Sequence, residues 1–181
     1  MSKLNVENPE DLPPIGMDLV AEARRNWEDR GLANLDAMVA ATSLARAHQI
    51  VLGRINGALN EYGLTFSRYE ALALLSFTRS GSMAMARMGE RLQVHPTSVT
   101  STIDRLERDG HVERTPHPED RRATLATLTS QGRDVLDAAT GVLEEIDWGF
   151  AGVDNHTQLT VHRSLRSVRS AGGDAVLEGE T

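Results

Sequence analysis

HPTSVTSTIDRLERDG, residues 95–110, decides how the rest of the chain is read. Pro96 suits the first position of a helix, where no amide donor is needed, and Gly110 is a stop. At roughly 100° per residue, Val99, Ile103 and Leu106 fall on one face of a helix over 96–109. Thr97, Ser101, Asp104, Arg105 and Arg108 fall on the other, with Ser98 at its edge. Small hydroxyl side chains come first and arginines later. Such a face lets a helix N-terminus approach base edges closely. Its hydroxyls can bond bases or phosphates, and its arginines can hold a guanine edge or a phosphate. The plain alternative is an amphipathic helix with a solvated face. Serine and threonine are mediocre helix formers, so a merely solvated face would more often use Glu, Lys or Ala.

The flanks agree. Residues 64–78 read as a helix started by Thr65 or Ser67, and Gly81 breaks the chain. Residues 84–93 fit a short helix with Met85, Met88 and Leu92 on one side, and a tight QVH turn leads into Pro96. After Gly110 the pattern changes. VERTP and ATLATLT alternate or are β-branched, with a polar HPEDRR loop between them, so they predict a two-stranded hairpin with a basic tip. Asp120, Arg121 and Arg122 sit at that tip. An arginine on a projecting loop can enter the minor groove, and an aspartate two residues earlier can hold its guanidinium.

Helices frame this lobe. MDLVAEARRNWEDRG, 17–31, reads as a short amphipathic helix. Residues 32–62 form a long helical pattern. In it Met38, Ala41, Ala45, His48, Leu52, Ile55, Leu59 and Tyr62 make a seam suited to another helix. Ser130 caps a helix to about Phe150, and a last one covers roughly 155–170. The fold class is therefore mainly α with a small β-wing: a winged helix-turn-helix lobe framed by N- and C-terminal dimerisation helices. The organisation is a flexible tail 1–16, the N-terminal extra helix and long dimerisation helix 17–62, the winged lobe 63–129, the C-terminal dimerisation helices 130–170, and a flexible tail 171–181. A generic helical bundle with one hairpin is the competing architecture.

The composition of the 181 residues, 40% apolar and 25% charged, suits a soluble globular chain. With no cysteine, disulfides and thiolate metal sites are excluded. The longest apolar run, ALALLSF, is too short to span a bilayer, and the N-terminus lacks a signal-peptide core, so a cytoplasmic protein is expected. The net charge is −7, yet it is uneven. Residues 1–36 carry −4 and residues 123–181 carry −5, while 37–86 carry +2 and 87–122 are neutral. An acidic chain can thus present a basic surface locally, which is all that DNA contact requires.

LTFSRYEALALL, GERLQVHPTSVTSTIDRLERDGHVER and HPEDRRATLATLTSQGRDVL resemble the core of the MarR family of bacterial transcription regulators, over about residues 35–150. The resemblance implies a homodimer whose two winged lobes bind a palindromic operator in double-stranded DNA, acting as a repressor. It places Thr97, Ser98, Ser101 and Arg105 in the major groove, and Asp120 with Arg122 matches the family's D-x-R wing motif. Two-fold symmetry would set the recognition helices about one DNA turn, roughly 34 Å, apart.

The extra helix 17–31 is similar to an extension found in a urate-responsive, PecS-like branch, where a tryptophan stands near the ligand, as Trp27 would here. Glu70 takes the place of that branch's aspartate, one methylene longer. Buried, it would need an arginine such as Arg105 or Arg46, or a ligand donor. The expected effector is a small anionic or aromatic molecule (aromatic acid, purine metabolite or acyl-coenzyme A). It would sit near Trp27, Glu70, Arg46 and His48 and attenuate DNA binding. The bland readings are a packing tryptophan, a structural salt bridge and a core histidine. No cofactor or metal is expected, because the six histidines lack metal-ligand spacing. No phosphate loop, H-E-x-x-H or nucleophile elbow points to an enzyme. A winged helix used only for protein contact is the remaining alternative.

Overall fold

The computed structural model describes residues 18–120 and 123–174. Arg121 and Arg122, the 1–16 tail and residues 175–181 lie outside the described residues. The elements are α1 (Leu19–Asp29), α2 (Leu35–Leu59), α3 (Phe66–Ser76), β1 (Ser82–Ala84), α4 (Met85–Leu92), α5 (Pro96–Arg108), β2 (Val112–Pro116), β3 (Thr124–Leu128), α6 (Ser130–Glu145) and α7 (Asn155–Ala171). Two compact units divide inside α2, after Ile50. No described helix is long and apolar enough to cross a membrane.

In the first unit Asp18 caps α1, its Oδ1 accepting from the amides of Val20 and Ala21 at 3.0 and 3.1 Å. The Trp27 indole donates to the Ala33 carbonyl at 3.0 Å and so ties α1 to the turn that follows it. No residue of α1 is buried. His48 of the expected seam is exposed, as are Ala41 and Ala45 beside it. Along α2 the buried residues are Ile55 and Leu59, near its C-terminal end.

The second unit holds the core. Leu59, Ala71, Leu72, Leu75, Met88, Ile103, Leu106, Ala126, Ala139 and Leu143 are fully buried. Each large aliphatic side chain withdrawn from water in this way contributes about 1.5–3 kcal/mol. The sheet has three antiparallel strands in the order β1-β3-β2, not two. β1 adds Ser82, Met83 and Ala84 opposite Thr127, Ala126 and Leu125. Three residues without a β-branched side chain carry no strand signal of their own, and β3 supplies the pairing.

Local caps also depart from expectation. Thr129, not Ser130, caps α6: its hydroxyl accepts from the Gly132 amide at 2.9 Å and donates to the Gly110 carbonyl at 2.8 Å. The α3 amide of Phe66 is capped from outside, by Asn56 Oδ1 of α2 at 2.8 Å. Beyond the end of α7, Asp174 binds Arg169 at 2.6 Å and Gln93 at 3.2 Å.

Two glycines let elements meet. A Cβ at Gly89 would stand 3.3 Å from the Val94 carbonyl, so glycine lets the α4–α5 turn close onto α4. A Cβ at Gly132 would collide with the His111 carbonyl and reach 2.8 Å from Leu128. Gly132→Ala is therefore expected to lose about 1–3 kcal/mol. Gly141, in the same helix with open space around it, should gain about 0.5–1 kcal/mol as alanine. Urea midpoints measure both, and equal shifts would contradict the close approach.

Candidate nucleic-acid interface

α5 is built as its sequence pattern implies, with one addition. Val99, Ile103 and Leu106 are buried against the lobe. Pro96 opens the helix, and His95 caps it, its Nδ1 accepting from the Thr97 amide at 3.2 Å. Histidine is an uncommon cap, and its sequence gives no sign of this local role. The Thr97 hydroxyl lies 3.1 Å from the same ring nitrogen. Thr100 donates back to the Pro96 carbonyl at 3.1 Å, so its hydroxyl is committed to the helix.

Thr97, Ser98, Ser101, Arg105 and Arg108 are all exposed on the remaining face. The hydroxyls of Ser98 and Ser101 and the Arg108 guanidinium have no intramolecular partner among the described residues. Arg105 is held by Asp109, one turn on, at 3.0 Å. It does not meet Glu70, for which it is one of the candidate partners by sequence. An exposed pair of this kind is worth only about 0.3–0.5 kcal/mol, so the guanidinium is released readily to a stronger anion.

Both acidic side chains of α5 are engaged by one arginine of the wing. Arg114 of β2 places Nη1 2.6 Å from Asp104 and 3.0 Å from Glu107, and its Nη2 donates to the Thr100 carbonyl at 3.3 Å. Asp104 thus orients an arginine, but one on the neighbouring strand. The start of α3 extends the same surface. Thr65, Ser67 and Arg68 join Ser101, Arg105 and Arg108 around a polar groove of about 370 Å³. Arg68 is fixed there by a 2.7 Å bond to the Gly63 carbonyl. Thr65 and Ser67 are legible in the sequence only as helix starters.

At the wing, His117 organises the tip. Its Nδ1 accepts from the amides of Glu119 and Asp120, both at 3.2 Å, and its own amide donates to the Ala123 carbonyl at 3.0 Å. Asp120 is exposed.

The expected effector residues are not brought together within one unit. Trp27, Arg46 and His48 belong to the first and Glu70 to the second. The Trp27 N–H is spent on Ala33. Glu70 edges a recess of about 310 Å³ whose floor is Met88, Leu92, Val94 and Val99, with Ser67, Ser98 and Thr102 around it. It has no ion pair or hydrogen bond among the described residues. Desolvation there raises its carboxyl above the usual glutamate range. A recess lined by one carboxyl and no base suits an anion poorly.

A MarR family model matches residues 64–124, which span α3 to the start of β3. The structure of Sco5413, a MarR family transcriptional regulator from Streptomyces coelicolor, is 47% identical, covers 77% of this chain and 99% of its own, and superposes with a TM-score of 0.73. The chain belongs to the MarR family of transcriptional regulators. As members of a regulator family, these are not enzymes. The HTH-type transcriptional regulator PrsX of Escherichia coli is 34% identical over 109 residues, 58% of this chain, and the chain spans 65% of the length of that relative. Sco3205, a MarR family regulator from Streptomyces coelicolor solved in complex with DNA, shares the fold at 22% identity and a TM-score of 0.66, over 79% of this chain and 91% of its own. The family match begins at Leu64, well after Trp27, so the extension that suggests the urate-responsive branch lies outside it.

The state of Glu70 is testable. A carboxyl held above its unfolded-state pKa costs stability wherever it is ionised. The fold is then at full strength below the unfolded value and loses stability as pH rises through the folded one. Glu70→Gln should raise the urea midpoint at pH 7 and leave it unchanged near pH 3.5, where about nine in ten unperturbed glutamates are already protonated. An equal shift at both pH values would show that no proton is involved.

Proposed function

We propose that this protein is a sequence-specific, ligand-responsive DNA-binding regulator, acting as a repressor in the cytoplasm. α5 enters the major groove and the wing, residues 117–122, enters the minor groove. The carrying observation is the outer face of α5. Its carboxylates are turned to Arg114, leaving the Ser98 and Ser101 hydroxyls and two arginines for an incoming duplex. Small side chains at the N-terminal end allow close approach, and Arg105 and Arg108 follow at helical spacing. Asp120 with Arg122 supplies the wing contact. The DNA complex of Sco3205 supports the same use of the shared fold.

The active form is a homodimer on a palindromic operator. Leu44, Ile50, Leu159, Val161 and Val168 are exposed on α2 and α7, helices that a second copy would cover. A small anionic or aromatic effector attenuates binding by favouring a conformation that misfits the operator.

Fluorescence anisotropy with a duplex from the gene's own upstream region, beside a scrambled duplex, tests this reading across salt concentrations. Arg105→Ala should cost about 1–3 kcal/mol on the preferred duplex and relax its preference. Arg108→Ala should weaken binding to both duplexes and lower the salt slope by about 1. If neither change alters binding, α5 does not lie in the groove. A wild-type chain that binds no duplex at low salt would favour a winged helix used for protein contact.

A further inference from the structure

A second recess, of about 500 Å³, lies on the lobe and is lined from α4, from β1 and from the tip of the wing. Its polar donors are unusual for an acidic chain. Arg87 and Arg91 stand one turn apart on α4 and both line it, with Ser80 from the turn after α3 and His117 from the end of β2. No carboxylate is among its lining residues. Neither arginine has an ion pair or hydrogen bond among the described residues. Like charges at this helical spacing destabilise each other, so an anion between them relieves a repulsion as well as gaining bonds. His117 adds a directed donor. Its Nδ1 accepts two backbone amides, so the neutral ring carries its proton on Nε2. Met83, Ala84 and Leu125 supply an apolar wall. The volume falls in the range that holds small organic ligands.

We propose that this recess is an anion site, taking a carboxylate or phosphate group carried on a small apolar body, with Arg87 and Arg91 as its charge partners and His117 as its link to the wing. The proposal rests on the reading of the protein as a ligand-responsive regulator, and it gives the effector a seat apart from Trp27 and Glu70. The link is short. The imidazole that donates to the anion on one side accepts from the amides of Glu119 and Asp120 on the other. Occupancy is therefore felt at the aspartate of the D-x-R motif through one ring. The same anionic chemistry could be offered by a phosphate of the DNA backbone, so the two sources need separate arms.

The probe is phenyl phosphate, titrated calorimetrically into the full chain without DNA. The variants are Arg87→Gln with Arg91→Gln together, and Arg79→Gln as a control outside the recess. Both target side chains are exposed, and thermal melts confirm that each variant folds. Expected is saturable binding to the wild type and the control, at least tenfold weaker in the double variant. Binding that survives in the double variant, or no binding to the wild type, overturns the small-anion site. In the second arm the salt dependence of duplex binding is measured without phenyl phosphate. A slope unchanged in the double variant agrees with a free small anion. A slope lower by about 2, with no phenyl phosphate bound, assigns the arginines to the DNA backbone instead and overturns the effector site. A wild type that binds phenyl phosphate but no duplex would defeat the DNA reading and leave the anion site standing.

Discussion

Arg114 reaches from the first wing strand to two carboxylates of α5, and the character of that helix's outer face depends on it. Asp104, Glu107 and Asp109 stand among the arginines of α5 and its C-cap. Left facing outward, the carboxylates would repel a duplex as strongly as the arginines attract it. Arg114 takes up two of them and Arg105 the third. The same arginine ties β2 to α5, so the wing and the helix that would enter adjacent grooves are held in one geometry. Beneath this clasp, Val99, Ile103 and Leu106 fix α5 to the core, and Gly89 and Gly132 let its neighbours close in. Anchoring from below and pairing from the side both serve one exposed stripe of hydroxyls and guanidinium groups.

Much of this is legible in residues 95–110 alone. The apolar spacing, the proline start and the glycine stop are local signals, and α5 obeys them. The hairpin is legible for the same reason, since β2 and β3 alternate in their own sequence. Most of what escapes depends on partners outside the element itself. β1 is three residues long and becomes a strand only because β3 offers an edge. The caps of α3 and α5 come from Asn56 and His95, which local propensity would not choose. Arg114 reads as one polar residue in an alternating strand, and only its position opposite Asp104 shows what it does. The seam of α2 is legible as a rhythm, but the burial of that rhythm belongs to whatever covers Met38, Ala41, Ala45 and His48.

The residues expected to meet an effector have partners and surroundings of their own. Trp27 resembles a ligand contact, yet its indole N–H is already bound to Ala33. Glu70 resembles half of an ion pair, yet it borders an apolar recess with no base to meet it. Charge distinguishes the recess beside Glu70 from the one beside Arg87 and Arg91. One offers a desolvated carboxyl and hydroxyls. The other offers two guanidinium groups without an ion pair among the described residues and an imidazole proton, against an apolar wall. By charge alone an anionic ligand fits the second better than the first, and that recess shares its histidine with the wing.

The central claim is that the outer stripe of α5 reads bases in a two-fold arrangement. Selection of the full chain against a pool of random duplexes at low salt tests it with no operator chosen in advance. The predicted result is enrichment of an inverted repeat whose half-sites are centred about one helical turn, roughly 10 base pairs, apart. Recovery of an unenriched pool, bound weakly and equally, would contradict it and leave α5 as a solvated face.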